Sequence, residues 1–203
     1  MSITYKRFCA YLLDIFFIYL LLSLITSIKF INPTYDKFAE SYEKYSEVID
    51  RYTNKEISLN EMQELNKDNF YNVTKYSISS NVVIIVGVLL YFGVFQKYNH
   101  GQTLGKKIMK IRVTSNNDKK VNIWKYLLRT LPMYFVFIGS IIAILINSIL
   151  VFILGSANYM QISSIITYVF LGIGIIDLVM MIIRKDNRGL HDILANTKVE
   201  FEE

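Results

Sequence analysis

Two aspartates stand where a carboxylate is expensive. Asp14 is the only charged residue between Phe8 and Ile28, inside the apolar run FCAYLLDIFFIYLLLSLI. Asp177 is the only one between Ile162 and Ile183. Arg7 precedes Asp14 by seven positions, and Arg184 follows Asp177 by seven. On a helix that spacing puts each aspartate about 10 Å from an arginine along the axis, near the same face. If the arginines mark the headgroups, both acids lie at similar shallow depth. An intramembrane charge costs about 2.5–3.5 kcal/mol at the bilayer centre, and less near the interface. Two readings of Asp14 and Asp177 follow. One is an ion or proton site. The other is a structural hydrogen bond or ion pair, with Arg7, Arg129 or Thr130 as partner.

Little else in the chain could do chemistry. There are two histidines, His100 and His191. His191 and Asp192 form a bare His-Asp pair, without the further ligands of a metal phosphohydrolase. HExxH, CxxC and GxSxG are absent. GQTLGKK has neither the glycine spacing of a phosphate loop nor its Ser or Thr after the lysine. Gly101 and Gly105 read instead as a turn and a place of close approach. The lone Cys9 has no partner for an internal disulfide. The expectation is a protein with no catalytic residues, no metal and no cofactor, and not an enzyme.

The elements that must position these acids are membrane helices. Of 203 residues, 53% are hydrophobic, and mean hydropathy is +0.33. The apolar residues come in blocks rather than in amphipathic periods. Four blocks approach the roughly 20 residues a spanning helix needs: 8–28, 78–95, 131–154 and 162–183. The first is too long for a secretory leader and lacks a clear cleavage site after it, so it reads as a retained helix. The fold class is therefore an all-α membrane protein, a four-transmembrane-helix bundle in one domain. It carries an outer helical insertion over 29–77, a basic loop over 96–130 and a tail over 184–203.

Charge orients it. Segment 96–130 holds nine Lys or Arg against one acid, Asp118. Segment 29–77 holds seven basic and nine acidic residues. The positive-inside bias puts 96–130, Lys6, Arg7 and the tail arginines in the cytoplasm. Both termini are then cytoplasmic, and 29–77 and GSANYMQ face outward. A basic segment between two spans fits anionic lipid headgroups better than nucleic acid.

The connections have local order. Tyr35, Phe38, Tyr42, Tyr45, Ile49 and Tyr52 recur at steps of three and four, a one-sided helical stripe. Ser58 and Glu61 form a capping box for a second helix. The two make a small outer cap. In the basic loop Thr103 is a possible helix cap. KIRVTSNNDKKVNI reads as a small β-hairpin turning at Asn116, Asn117 and Asp118. Trp124 suits a membrane interface.

Three stretches together resemble the RDD family of bacterial integral membrane proteins. They are KRFCAYLLDIFFI, GQTLGKKIMKIRV and RGLHDILANTKV, with LLRTLP before the third run. By that resemblance the family's Arg-Asp-Asp triad is Arg7, Asp14 and Asp192. The outer insertion lies outside the resemblance. The family implies a cell-membrane, multi-pass protein. Some members are linked to sodium–proton exchange, and others look like accessory proteins.

RGLHDILANT reads as a short amphipathic piece at the cytoplasmic face. Asp192 then pairs with Arg7 and clamps the tail across the first helix. Exchanging the two charges should restore what either single change loses. Two functions stay open: an accessory or scaffold protein with a homo-oligomeric or membrane-protein partner, and a cation–proton exchanger using Asp14.

Overall fold

The computed structural model describes residues 2–117, 120–135 and 137–202. Among the described residues, three helices are long and apolar enough to cross a membrane: Ile3–Thr26, Ile78–Tyr98 and Ser156–Ile183. The first is α1, capped by Ser2, whose Oγ accepts from the Tyr5 N–H. The second starts as α4 (Ile78–Leu89), passes through a π-helical turn at Leu90–Phe95 and ends as α5 (Gln96–Tyr98). A π turn widens the helix and re-aims side chains; here it carries Tyr91. The third is α9 (Ser156–Ile183), longer at its start than the sequence suggests. GSANYMQ is thus not a loop beyond Gly155.

The run 131–154 is not one continuous helix. Pro132 follows α7 (Ile123–Thr130) and cannot continue its hydrogen-bond ladder. The chain then makes a tight antiparallel pair, β2 (Tyr134–Phe135) with β3 (Gly139–Ser140). Among the described residues of this run, only Ile141–Ile153 is helical, as α8, about 20 Å long. That is short of a hydrocarbon core of about 30 Å.

Between α1 and α4, α2 (Tyr35–Thr53) and α3 (Leu59–Tyr76) pack as a helical hairpin. The Ser58–Glu61 capping box is formed. The aromatic stripe is only partly covered, with Tyr35, Tyr42 and Tyr52 exposed. Rings run from Phe38 through Tyr42, Tyr45 and Phe70 to Tyr159 on α9.

Among the described residues the expected hairpin around Asn116 and Asn117 does not form; Asp118 and Lys119 lie outside them. β1 (Ile111–Ser115) pairs instead with β4 (Thr197–Phe201), antiparallel, with Val113 opposite Val199. The alternating pattern in KIRV was real, but its partner comes from the far end of the chain. Two short helices complete the same end of the bundle, α6 (Leu104–Ile108) and α10 (Leu190–Leu194). The apolar core lies between α1, α4 and the β2–β3 turn, around Ile15, Ile18, Val88, Phe92 and Phe135.

Candidate functional site

Asp14 is completely buried, and its carboxylate is saturated. Oδ1 accepts from the Tyr91 hydroxyl at 2.7 Å and from the Gly105 N–H at 2.7 Å. Oδ2 accepts from the Thr103 hydroxyl at 2.5 Å, with the Lys106 ammonium 3.7 Å away. These donors come from the π turn of the second long helix and from α6. Thr103 also caps α6 through the Lys106 N–H. Neither Arg7, Arg129 nor Thr130 bonds Asp14, contrary to the expectation from sequence. The Thr130 hydroxyl donates to the Leu127 carbonyl in its own helix.

Gly105 makes this possible. A Cβ there would lie 2.2 Å from the Ala10 carbonyl and 2.9 Å from the Asp14 carboxylate. Only glycine lets α6 lie flat on α1 at this point. Gly101 has φ +86°, and a Cβ there would meet the Val113 carbonyl at 2.5 Å. It turns the chain from α5 toward α6 where L residues are strained.

The arginines converge on Asp192, also completely buried. Arg7 Nη2 donates to Oδ2 at 2.5 Å, and Arg129 Nη1 donates to Oδ1 at 2.6 Å. The Gly189 N–H adds a third bond at 3.2 Å. Arg129 also donates to the Thr197 hydroxyl at 2.7 Å, and Arg7 Nη1 to the Asn187 carbonyl. One carboxylate therefore ties α1, α7, α10 and the start of β4 together. Burial would raise the Asp192 pKa; Arg129 and Arg7 outweigh it and hold the carboxyl well below the usual carboxylate range. With two arginines on one acid, exchanging the charges of Arg7 and Asp192 would set an arginine against Arg129. The restoring exchange expected from sequence does not fit this geometry.

Asp177, 9% exposed, takes His191. The imidazole Nδ1 lies 2.8 and 2.7 Å from the two carboxylate oxygens, and the His191 backbone N–H donates at 3.0 Å. The other ring nitrogen, Nε2, is 3.1 Å from Arg7 Nη2. Arginine only donates, so Nε2 accepts and Nδ1 carries the proton toward Asp177. Asp14 and Asp177 do not touch, but both line one cavity, together with Arg7, Lys106, Arg129 and His191. Among the described residues no cluster of His, Cys, Asp and Glu could hold a metal ion.

Sequence reasoning missed Tyr91 and Lys106 as partners of Asp14. Nothing in an apolar helix signals that a π turn will aim one tyrosine at another helix. Lys106 looked like one more surface lysine in a basic loop. The pairing of Asp177 with His191 was also not foreseen.

Apolar helices around a buried Arg-Asp-Asp arrangement define a multi-helix, membrane-type protein. The chain belongs to the RDD family, whose family model matches residues 3–196. No curated protein matches the chain, and no solved structure matches it.

Proposed function

We propose that this RDD protein is a non-enzymatic accessory or scaffold protein of the cell membrane. In it Arg7, Asp14 and Asp192 fasten the parts at one end of the bundle. The observation that carries this reading is the saturation of both triad acids. Asp14 has three hydrogen bonds and a nearby ammonium. Asp192 has two arginines and a backbone N–H. A transported cation would have to displace built-in cations and donors from either one.

The topology that goes with this reading has four passes, with residues 131–154 crossing as the β2–β3 turn followed by α8. Two contacts support it. β1 pairs with β4, so the chain before 131 and the chain after 183 meet at one end. Tyr159, near the start of α9, meets Phe70 and Tyr71 of the helical hairpin at the other. Both termini are then cytoplasmic. The exposed Lys107, Lys110 and Lys120 face anionic headgroups, and the half-exposed Tyr42 of α2 is available to a second copy or another membrane protein.

A second reading rests on Asp177. Its pairing with His191 on the wall shared with Asp14 is a proton-carrying pair beside a carboxylate, the parts of a cation–proton exchanger. A pH-gradient assay in proteoliposomes separates the two, with sodium, potassium and lithium pulses and matched folded Asp14→Asn and Asp177→Asn. The accessory reading expects no cation-dependent proton movement. Movement in the wild type that either variant loses would overturn it.

A further inference from the structure

A cavity of about 370 Å³ opens between α1 and α9. Much of its wall is apolar, with Phe8, Leu171, Ile175 and Leu178 among the lining residues. Phe8, Ile175 and Leu178 are 43%, 53% and 40% exposed. They lie on helices long and apolar enough to span a bilayer, so the mouth faces hydrocarbon. The volume falls within the range of about 300–1,000 Å³ typical of small-ligand sites.

Lys106 and Arg129 line the same cavity. Arg129 is only 5% exposed, and both of its bonds leave from Nη1. Its Nη2 and Nε donate to no protein group among the described residues. The Lys106 ammonium donates to Thr103 at 3.2 Å and stands 3.7 Å from Asp14, which leaves donor capacity on its three N–H groups. The acids on the wall are already engaged: Asp14 by Tyr91, Thr103 and Gly105, and Asp177 by His191. What the wall still offers is cationic donors beside an apolar slot.

We propose that this cavity binds an anionic phospholipid, with one acyl chain against Phe8 and Ile175 and the phosphate on Lys106 and Arg129. A guanidinium and an ammonium that line one cavity both suit phosphate oxygens. Arg129 reaches Asp192, the acid that also holds Arg7 near the start of α1, so the cations sit toward the end of the span where headgroups lie. Basic pockets between membrane helices recognise anionic headgroups in this way.

The test uses the full chain in vesicles with spin-labelled phosphatidylglycerol or phosphatidylcholine. The wild type is expected to retain phosphatidylglycerol about fivefold better, the effect of one basic group near an anionic lipid. Lys106→Gln should bring the ratio close to one. Ile175→Trp should fill the mouth and reduce retention of both lipids; its lipid-facing position keeps the test valid if Lys106→Gln fails to fold. The variant Lys55→Gln, which changes an exposed lysine of the outer helical hairpin, should keep the preference. No preference in the wild type overturns the proposal. So does a preference that survives both Lys106→Gln and Ile175→Trp, which would place the attraction on the loop surface. Binding of inorganic phosphate without lipid preference overturns it as well. None of these outcomes depends on whether the protein moves ions.

Discussion

The backbone N–H of Gly105 donates to Asp14 Oδ1 at 2.7 Å, joining a short helix of one connection to a carboxylate inside the first long helix. The bond explains why an apolar helix keeps an acid. α6 begins with unpaired N–H groups, as every helix does, and Asp14 supplies the acceptor. The approach requires a residue without a side chain. Gly105→Ala would push a methyl onto the Ala10 carbonyl 2.2 Å away. Overpacking of this kind costs about 1–3 kcal/mol. Thermal unfolding in detergent is expected to show that loss, whereas Gly172→Ala, where a Cβ meets nothing within 4 Å, should be neutral.

Asp14→Asn removes one acceptor and turns an NH₂ group toward donors. Tyr91, Thr103 and Gly105 all donate to this side chain, and an amide oxygen cannot serve all three. A buried donor left without a partner costs about 1–3 kcal/mol. The variant is expected to unfold at lower temperature, and added sodium should not shift either protein. Stabilisation of the wild type alone by sodium would show that Asp14 holds a cation after all.

Asp192 joins two arginines, so its removal should hurt more than the loss of either. Asp192→Asn leaves Arg7 and Arg129 buried against each other, and breaking a buried pair in this way costs about 3–5 kcal/mol. Arg7→Asp combined with Asp192→Arg is expected to fare no better than the single changes, because Arg129 remains 2.6 Å from the exchanged position. Acid gives an independent check. The folded carboxyl is held below its usual range, so its stabilisation is complete above about pH 4 and fades as pH falls through the lower folded value. Unfolding measured from pH 6 to pH 2 should show that acid limb in the wild type and not in Asp192→Asn.

Lys106 gives stability the same direction of pH dependence, in the alkaline range. Burial lowers its pKa to about 8, against the pull of Asp14. An unfolded lysine titrates near 10.4. Between those values the unfolded chain binds the extra proton, so stability rises with pH across that window. The melting temperature of the wild type is expected to rise between pH 8 and pH 10 relative to Lys106→Gln. A flat difference would mean that the ammonium is solvated.

The long helices were legible because hydrocarbon demands long apolar runs, and Asp14 stood out because it breaks one. The convergence of Arg7 and Asp192 was legible too, since the charge pattern sets the motifs carrying them on the same side of the bundle. What the chain could not announce was long-range geometry. Pro132 and Gly139 divide an apolar run that by composition alone looks like one span. Lys106 and Arg129 count as loop charges by position, yet both turn inward. Asp177 looked like a second ion site, and its partner His191 lies fourteen positions later on another helix.

The partner of β1 was the least legible feature, and it can be tested directly. A hairpin would pair Ile111–Ser115 with the residues just after the Asn116–Asn117 turn. The structure pairs it with Thr197–Phe201, placing Thr114 opposite Lys198. Directly opposed residues in an antiparallel pair have Cα atoms about 4.5–5.5 Å apart, within the range of about 4.4–6.8 Å that a disulfide spans. The chain has a single cysteine, Cys9, so Cys9→Ser gives a clean background. Thr114→Cys with Lys198→Cys is expected to crosslink under mild oxidation, closing a loop of most of the second half of the chain. A reduction-sensitive gel shift would report it. Thr114→Cys with Val121→Cys, the pairing a local hairpin would favour, should stay open. The reverse result would detach β4 from β1 and remove the argument that the two ends of the chain meet at one membrane surface.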